Sequence, residues 1–215
     1  MARILIVYSS LSGANAMLAG LAASALGATG AEVRVRRVPE VAFPGAVQPA
    51  ADGVKAVSAD DLAWADGFVL SSQSHTGLLS ASIKAFIDAH HDAAVAGSYL
   101  NKTFTAMATS AFAHAGQERV VDELNAVGAA WGCILVPPSV ASARLNVLNG
   151  NPYGLSFVLE QGRIPDTDAA REVLDAHLHR FAAITDAMVA LSAASAVGGE
   201  SALNRRIPTA AEVFS

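Results

Sequence analysis

Residues 3–17 read RILIVYSSLSGANAM. Arg3 to Tyr8 is almost wholly apolar, rich in β-branched residues and leucine. That is the composition of a strand covered on both faces, as in a parallel sheet. Ser9 to Gly13 is a loop of small hydroxyl residues around one glycine. From Ala14 a helix is expected to Leu26, ended by Gly27 and Gly30. Strand, small-residue loop and helix together turn the free N–H groups and positive dipole end of the helix toward the loop. An anion suits that place, and Ser10, Ser12 and Asn15 add donors beside the backbone of Gly13 and Ala14. The loop has no Lys, no Arg and no GxGxxG. This excludes a Walker-type cradle for a nucleoside triphosphate, but not a site for a monoester phosphate. The plainer alternative is that serine and asparagine only cap the helix.

The pattern repeats along the chain. AEVRVRRV, residues 31–38, alternates and reads as a second strand nearer an edge. Residues 39–55 hold three prolines and two glycines and read as a long loop. Ser58-Ala59-Asp60-Asp61-Leu62 has the form of an N-cap with an acidic first turn, which predicts a short helix. GFVLSS (67–72), KTFTAMAT (102–109) and CILVP (133–137) read as strands three to five. Helices are expected over 80–90, 117–131 and 166–191, and a long connection over 138–165. A β-α unit repeated in this way specifies an α/β fold with a doubly wound parallel sheet of five strands and helices on both faces. The chain divides into one domain, 1–191, and a tail, 192–215, with Gly198-Gly199 and Arg205-Arg206, expected to be mobile or docked on a partner.

Composition narrows the function classes. With 215 residues, 53% hydrophobic and 15% charged, the chain has ample material for a full core. A net charge of −5 argues against a nucleic-acid partner, which demands a basic face. The single cysteine, Cys133, excludes a disulfide framework and points to an intracellular, cytoplasmic protein. No signal peptide and no membrane-length apolar run are evident.

In a doubly wound sheet, ligands sit beyond the carboxyl ends of the strands. Two further loops there are made of small and polar residues. One is Gln73-Ser74-His75-Thr76-Gly77 after the third strand, and the other is Ser110-Ala111-Phe112 onward after the fourth. Glycine and small side chains let the backbone approach a planar ligand closely. Three such loops at one edge point to a ligand site more strongly than any one of them.

At this point the sequence resembles a known family, the flavodoxin-like NAD(P)H:quinone oxidoreductases once called tryptophan-repressor-binding proteins. The resemblance runs over residues 2–190. It rests on RILIVYSSLSG, GFVLSS with its spacing to IKAFID, KTFTAMATS followed by AGQE, WGCILVPP, and NGNPYG at 149–154. It implies strand order 2-1-3-4-5, FMN as cofactor, NADH or NADPH as co-substrate and a homo-oligomer, dimer or tetramer, with sites between subunits. The phosphate-loop serine falls on Ser10 and the loop glycine on Gly13. The family's Pro-Thr-Arg-Phe-Gly falls on residues 73–77, where only Gly77 is identical. A phosphate-loop threonine falls on Met17, a histidine near the flavin ring on Trp131, and a pocket tryptophan on Ala94. Phe112 and Trp131 are the aromatic residues expected to replace lost stacking on the ring.

Other residues have ordinary roles. Lys84 and Asp88 are spaced for an i,i+4 ion pair, and Cys133 suits an inert core position. His90 and His91 end a helix as dipole partners, and His177 and His179 point to different faces. Arg3, Arg34, Arg36 and Arg37 read as solvated strand ends, and Tyr153 as a residue that reaches a neighbouring subunit. No metal site is indicated. The expected activity is hydride transfer from NAD(P)H through FMN to a quinone or similar aromatic acceptor. In that chemistry the cofactor reacts and the protein orients it, so no catalytic side chain is assigned. The alternatives are a repurposed fold that has lost FMN and binds another aromatic ligand, and a non-enzymatic electron carrier.

Overall fold

The computed structural model describes residues 1–42, 45 and 52–197, without the side chains of 194–197. The expected tail therefore lies outside the described residues from 198 onward, as does most of the expected loop between 43 and 51.

Thirteen elements follow one another among the described residues: β1 (Arg3–Tyr8), α1 (Ala14–Ala28), β2 (Glu32–Arg37), α2 (Ala59–Trp64), β3 (Gly67–Gln73), α3 (Ala81–Ala89), α4 (His91–Val95), β4 (Thr103–Ser110), α5 (Gln117–Ala130), β5 (Ile134–Leu135), α6 (Ala143–Leu148), β6 (Leu155–Val158) and α7 (Thr167–Val197). The sheet is parallel in the order β2-β1-β3-β4-β5, as the family resemblance implies. Period-two alternation divides its side chains between two cores. Ile4, Ile6, Tyr8, Val69 and Met107 pack with Leu18, Ala22 and Leu26 of α1 and Leu174, Leu178 and Phe181 of α7. Leu5, Val7, Phe68, Leu70 and Phe104 pack with Leu62 of α2, Ile83 and Phe86 of α3, and Val120 and Leu124 of α5.

The fifth strand departs from the sequence reading. Instead of 133–137, only Ile134 and Leu135 pair, opposite Thr103 and Phe104. Pro137 and Pro138 follow, and proline has no N–H for a ladder. The chain then leaves the sheet, forms α6 and returns as β6. Leu155–Val158 pairs in parallel with Met107–Ser110. The long expected connection thus contains a strand, and β4 has its outer edge covered by β5 at one end and β6 at the other. Gly154 permits the re-entry by close approach rather than by a turn conformation. A β-carbon there would meet Val121 Cγ1 at 2.6 Å and the Ala106 carbonyl oxygen at 2.9 Å.

Smaller expectations hold or shift. Ser58 and Asp61 form the expected capping box of α2. Asp61 also receives Arg34 and Arg36 at 3.1 and 2.8 Å, so these arginines are not free strand-end charges. Arg3 likewise pairs with Asp66 at 2.7 Å. Lys84 and Asp88 pair at 2.6 Å, but both are exposed and the pair contributes little. α1 passes through Gly27 to end at Ala28, with Gly30 in the left-handed region. His90 ends α3 with its ring packed against Phe86, and burial lowers its pKa. The Cys133 thiol is pushed up to about 12 by burial, which fits an inert group.

Candidate functional site

The carboxyl ends of β1, β3 and β4 bring the three predicted loops to one edge of the sheet. The helices that leave the β1 and β4 loops both begin on glycine, Gly13 at φ 90° and Gly116 at φ 89°. Neither has a side chain to cap the first turn, whereas Ser58, Ser80 and Ser142 cap α2, α3 and α6. The N–H groups of α1 and α5 therefore face the site without a cap side chain.

The β1 loop is built tightly. Ser9, Ser10 and Asn15 are buried. Asn15 Nδ2 donates to the Ser9 carbonyl at 2.8 Å, and the Gly13 N–H donates to Ser10 Oγ at 3.1 Å. Ser12 is exposed, with Oγ 3.5 Å from the Ala14 nitrogen. Met17 is exposed on α1 and carries no donor.

The β3 loop turns within two residues. His75 and Leu78 exchange both backbone hydrogen bonds, at 2.9 and 3.2 Å, around Thr76 (φ 54°) and Gly77 (φ 84°). Two successive positive φ values define a type I′ turn. Ser74 anchors it to the β4 loop, donating its N–H to the Thr109 carbonyl at 2.7 Å and its hydroxyl to the Ala115 carbonyl at 2.5 Å. In the β4 loop, Ser110 Oγ donates to the Phe112 carbonyl at 2.8 Å, and Gln117 Nε2 to the Ala113 carbonyl at 2.6 Å.

Between these two loops lies a cavity of about 620 Å³, within the size range of small-molecule sites. Ser74, Thr76 and Gly77 line one side; Ala111, Phe112, His114, Ala115 and Gly116 line the other. Phe112 is 73% exposed, so its ring is available to a ligand. Arg119, in the first turn of α5, is the charged residue of the lining and was missed from sequence. Its signal was position: two residues after Gln117, at a helix start that faces the edge.

The predicted residues are therefore only partly together. Ser10, Ser12, Gly13, Ala14 and Asn15 of the β1 loop, Gln73, His75 and Ser110 do not line the cavity. Gln73 turns its Oε1 to accept the Leu11 N–H at 3.2 Å, and His75 is exposed at the turn. Trp131 is a correction. It caps α5 at the far end, 4% exposed, with its ring centroid 4.7 Å from Tyr99 and 6.0 Å from Phe68. α5 has 14 residues and leads away from the edge by about 21 Å. Trp131 is a core residue at the amino end of the sheet and cannot stack on a ligand at the carboxyl end. Tyr153 is 63% exposed, and its carbonyl accepts from Asn125 Nδ2.

Polar demand concentrates at the same edge. Among the described residues, five buried side-chain atoms have no hydrogen-bond partner: Asn15 Oδ1, Ser71 Oγ, Thr109 Oγ1, Gln117 Oε1 and His177 Nδ1. All but His177 stand at the carboxyl edge, on β3, on β4 or at the starts of α1 and α5. Buried polar atoms are costly when unpaired, and these four lie beneath the loops of this edge without lining the cavity itself.

Arg37 is the largest surprise next to the β1 loop. Far from being a solvated edge charge, its side chain is 12% exposed. It pairs with Asp52 at 3.1 Å and Glu40 at 3.4 Å, and donates to the Ser10 carbonyl at 2.9 Å. Tyr8 OH donates to Asp52 at 2.6 Å, and burial with this bond raises the Tyr8 pKa. Desolvation would raise Asp52, but the Tyr8 hydroxyl, the Val54 N–H and Arg37 together hold it below the usual carboxylate range.

Known proteins resemble this chain in sequence and in fold. The family model for NADPH-dependent FMN reductase matches residues 2–146. A NAD(P)H dehydrogenase (quinone) of Deinococcus radiodurans is 33% identical over 181 residues, covering 78% of this chain and 88% of that protein. One from a Chelativorans species is 31% identical over 179 residues, covering 80% and 87%. Among solved structures, a WrbA-like flavodoxin from Agrobacterium tumefaciens superimposes with a TM-score of 0.62 at 16% identity, covering 87% of this chain and 99% of that one. An archaeal flavodoxin gives 0.59 at 14% identity, covering 86% and 99%. These two likenesses concern the fold, and the flavodoxin-like sheet order is the one found here. By the match over residues 2–146 and the curated relatives, the chain belongs to the NADPH-dependent FMN reductase family.

Proposed function

We propose that this protein is an FMN-dependent oxidoreductase that takes hydride from NADH or NADPH and reduces a quinone or a similar aromatic acceptor. The observation that carries the reading is the carboxyl edge itself. Two glycine-started helices stand there, and the β3 and β4 loops enclose a cavity of about 620 Å³. The relatives named NAD(P)H dehydrogenase (quinone) support the same chemistry.

The residues present fit FMN. Ser10, Ser12, Gly13, Ala14 and Asn15 would hold the phosphate through hydroxyls and the N–H groups that open α1, with no cation in contact. Ser74, Thr76 and Gly77 would bound one face or edge of the ring system. Ala111 and Phe112 would bound the other, next to Ser110, with Phe112 the exposed aromatic side chain of the cavity lining. When bound, FMN supplies the hydride-accepting and electron-donating chemistry. The chain's part is to fix orientation, to exclude water around the glycine-walled cavity and to place the Arg119 charge beside it. No general acid or base is required of the side chains.

We further place the protein in the cytoplasm as a homo-oligomer, a dimer or tetramer. Among the described residues no helix is long and apolar enough to cross a membrane. Light scattering on the purified protein tests the assembly.

Two-substrate steady-state kinetics test the activity. With FMN supplied, varying NADPH at several fixed benzoquinone concentrations should give parallel double-reciprocal lines, the signature of two half-reactions at one site. No NAD(P)H oxidation above the rate of free FMN would overturn the reading.

A further inference from the structure

One peptide unit in the β1 loop is gripped at both poles. The Ser10 carbonyl accepts from Arg37 Nη2 at 2.9 Å, and the Leu11 N–H of the same peptide donates to Gln73 Oε1 at 3.2 Å. Arg37 is the last residue of β2 and Gln73 the last of β3, so the two strands that flank β1 hold its loop from either side. Arg37 is itself fixed by Asp52 and Glu40, and Glu40 in turn receives Ser9 Oγ at 3.3 Å and Ser82 Oγ at 2.5 Å.

A peptide plane can rotate about its flanking φ and ψ angles, and a small-residue loop resists this poorly. Fixing both the C=O and the N–H removes that freedom. It also settles where the next groups point: Ser10 Oγ, Ser12 Oγ and the N–H groups entering α1. The guanidinium is already paired with two carboxylates, Asp52 and Glu40, and meets the loop through the Ser10 carbonyl. This resolves how a loop without a cation can be set for phosphate: the cation acts through the backbone.

We propose that Arg37 and Gln73 are positioning residues for the phosphate cradle, clamping the Ser10–Leu11 peptide so that the loop is ordered before a monoester phosphate arrives. The inference rests on the FMN reading above.

The test compares FMN with riboflavin, which lacks the phosphate, by fluorescence titration of wild type, Arg37→Lys, Arg37→Met and Gln73→Met. Wild type should prefer FMN strongly. Gln73→Met and Arg37→Lys should each lower FMN affinity roughly tenfold while riboflavin affinity moves less than about threefold. Arg37→Met leaves buried carboxylates uncompensated and is expected to fold less well. The lysine and Gln73 variants therefore carry the decision. A merely structural role would lower melting temperature and leave the FMN-to-riboflavin ratio unchanged, and that result overturns the clamp. Wild type with no preference for FMN would overturn both the clamp and the cofactor reading.

Discussion

Gly77 and Gly116 touch backbone to backbone: a β-carbon on residue 116 would lie 2.6 Å from the Gly77 α-carbon. Both residues have positive φ, 84° and 89°. This contact brings the β3 turn and the start of α5 together, and the cavity opens between the loops it joins.

Gly116→Ala should therefore be harmful on two counts, left-handed backbone and collision with backbone. The expected cost is about 2 kcal/mol of stability. FMN affinity should fall more than tenfold, because the turn must move. Urea denaturation and flavin titration of the same variant check both.

Ser12→Asp places a carboxylate where the phosphate is proposed to sit. Like charges at this distance repel, and the helix end would be taken by the side chain instead. FMN affinity should drop by at least roughly a hundredfold, with riboflavin far less affected, while stability is unchanged or slightly raised. Equal losses for both flavins would remove the phosphate from this loop.

Gly154→Ala tests the broken fifth strand. The new methyl meets Val121 Cγ1 at 2.6 Å and the Ala106 carbonyl oxygen at 2.9 Å. Re-entry of the chain onto β4 should be destabilised by about 1–3 kcal/mol. Hydrogen exchange should quicken at Leu155 to Val158 before it does in β1 or β3.

His177 gives a pH dependence with a definite sign. It is 1% exposed, with Nε2 2.8 Å from Thr105 Oγ1. Burial, helped by Arg180, lowers its pKa from 6.5 to about 4. Below pH 6.5 the unfolded chain binds a proton that the folded chain refuses. Stability from the neutral ring is thus full above that pH and is lost as pH falls toward 4, by up to about 3 kcal/mol. His177→Leu combined with Thr105→Val removes both partners and should flatten this limb of the pH–stability curve. An unchanged slope in urea midpoints between about pH 7 and pH 5 would rule His177 out as its source.

Much of the fold was legible because parallel strands buried on both faces leave near-continuous apolar runs, as in RILIVY and GFVLSS. β6 was not. LSFV is only four residues and follows NGNPYG, so local sequence gives a turn and no strand of usual length. It exists because β4 is eight residues long and β5 covers only two of them. The three site loops were legible from small residues at strand ends. Trp131 was misplaced because position in a motif was read without helix direction. Arg119 was overlooked because it lies past the loop, on the first turn of α5. The Arg37 clamp depends on residues 27 and 62 positions from their loop partners, a relation set by strand order and not by local pattern.

On the proposed function, this carboxyl edge holds FMN. Titrating the purified protein with FMN, following flavin fluorescence and visible absorption, tests it most directly. Saturable binding, with a shifted flavin spectrum that NADPH bleaches and a quinone restores, is the predicted result. A colourless protein that leaves the spectrum and fluorescence of added FMN unchanged would contradict it.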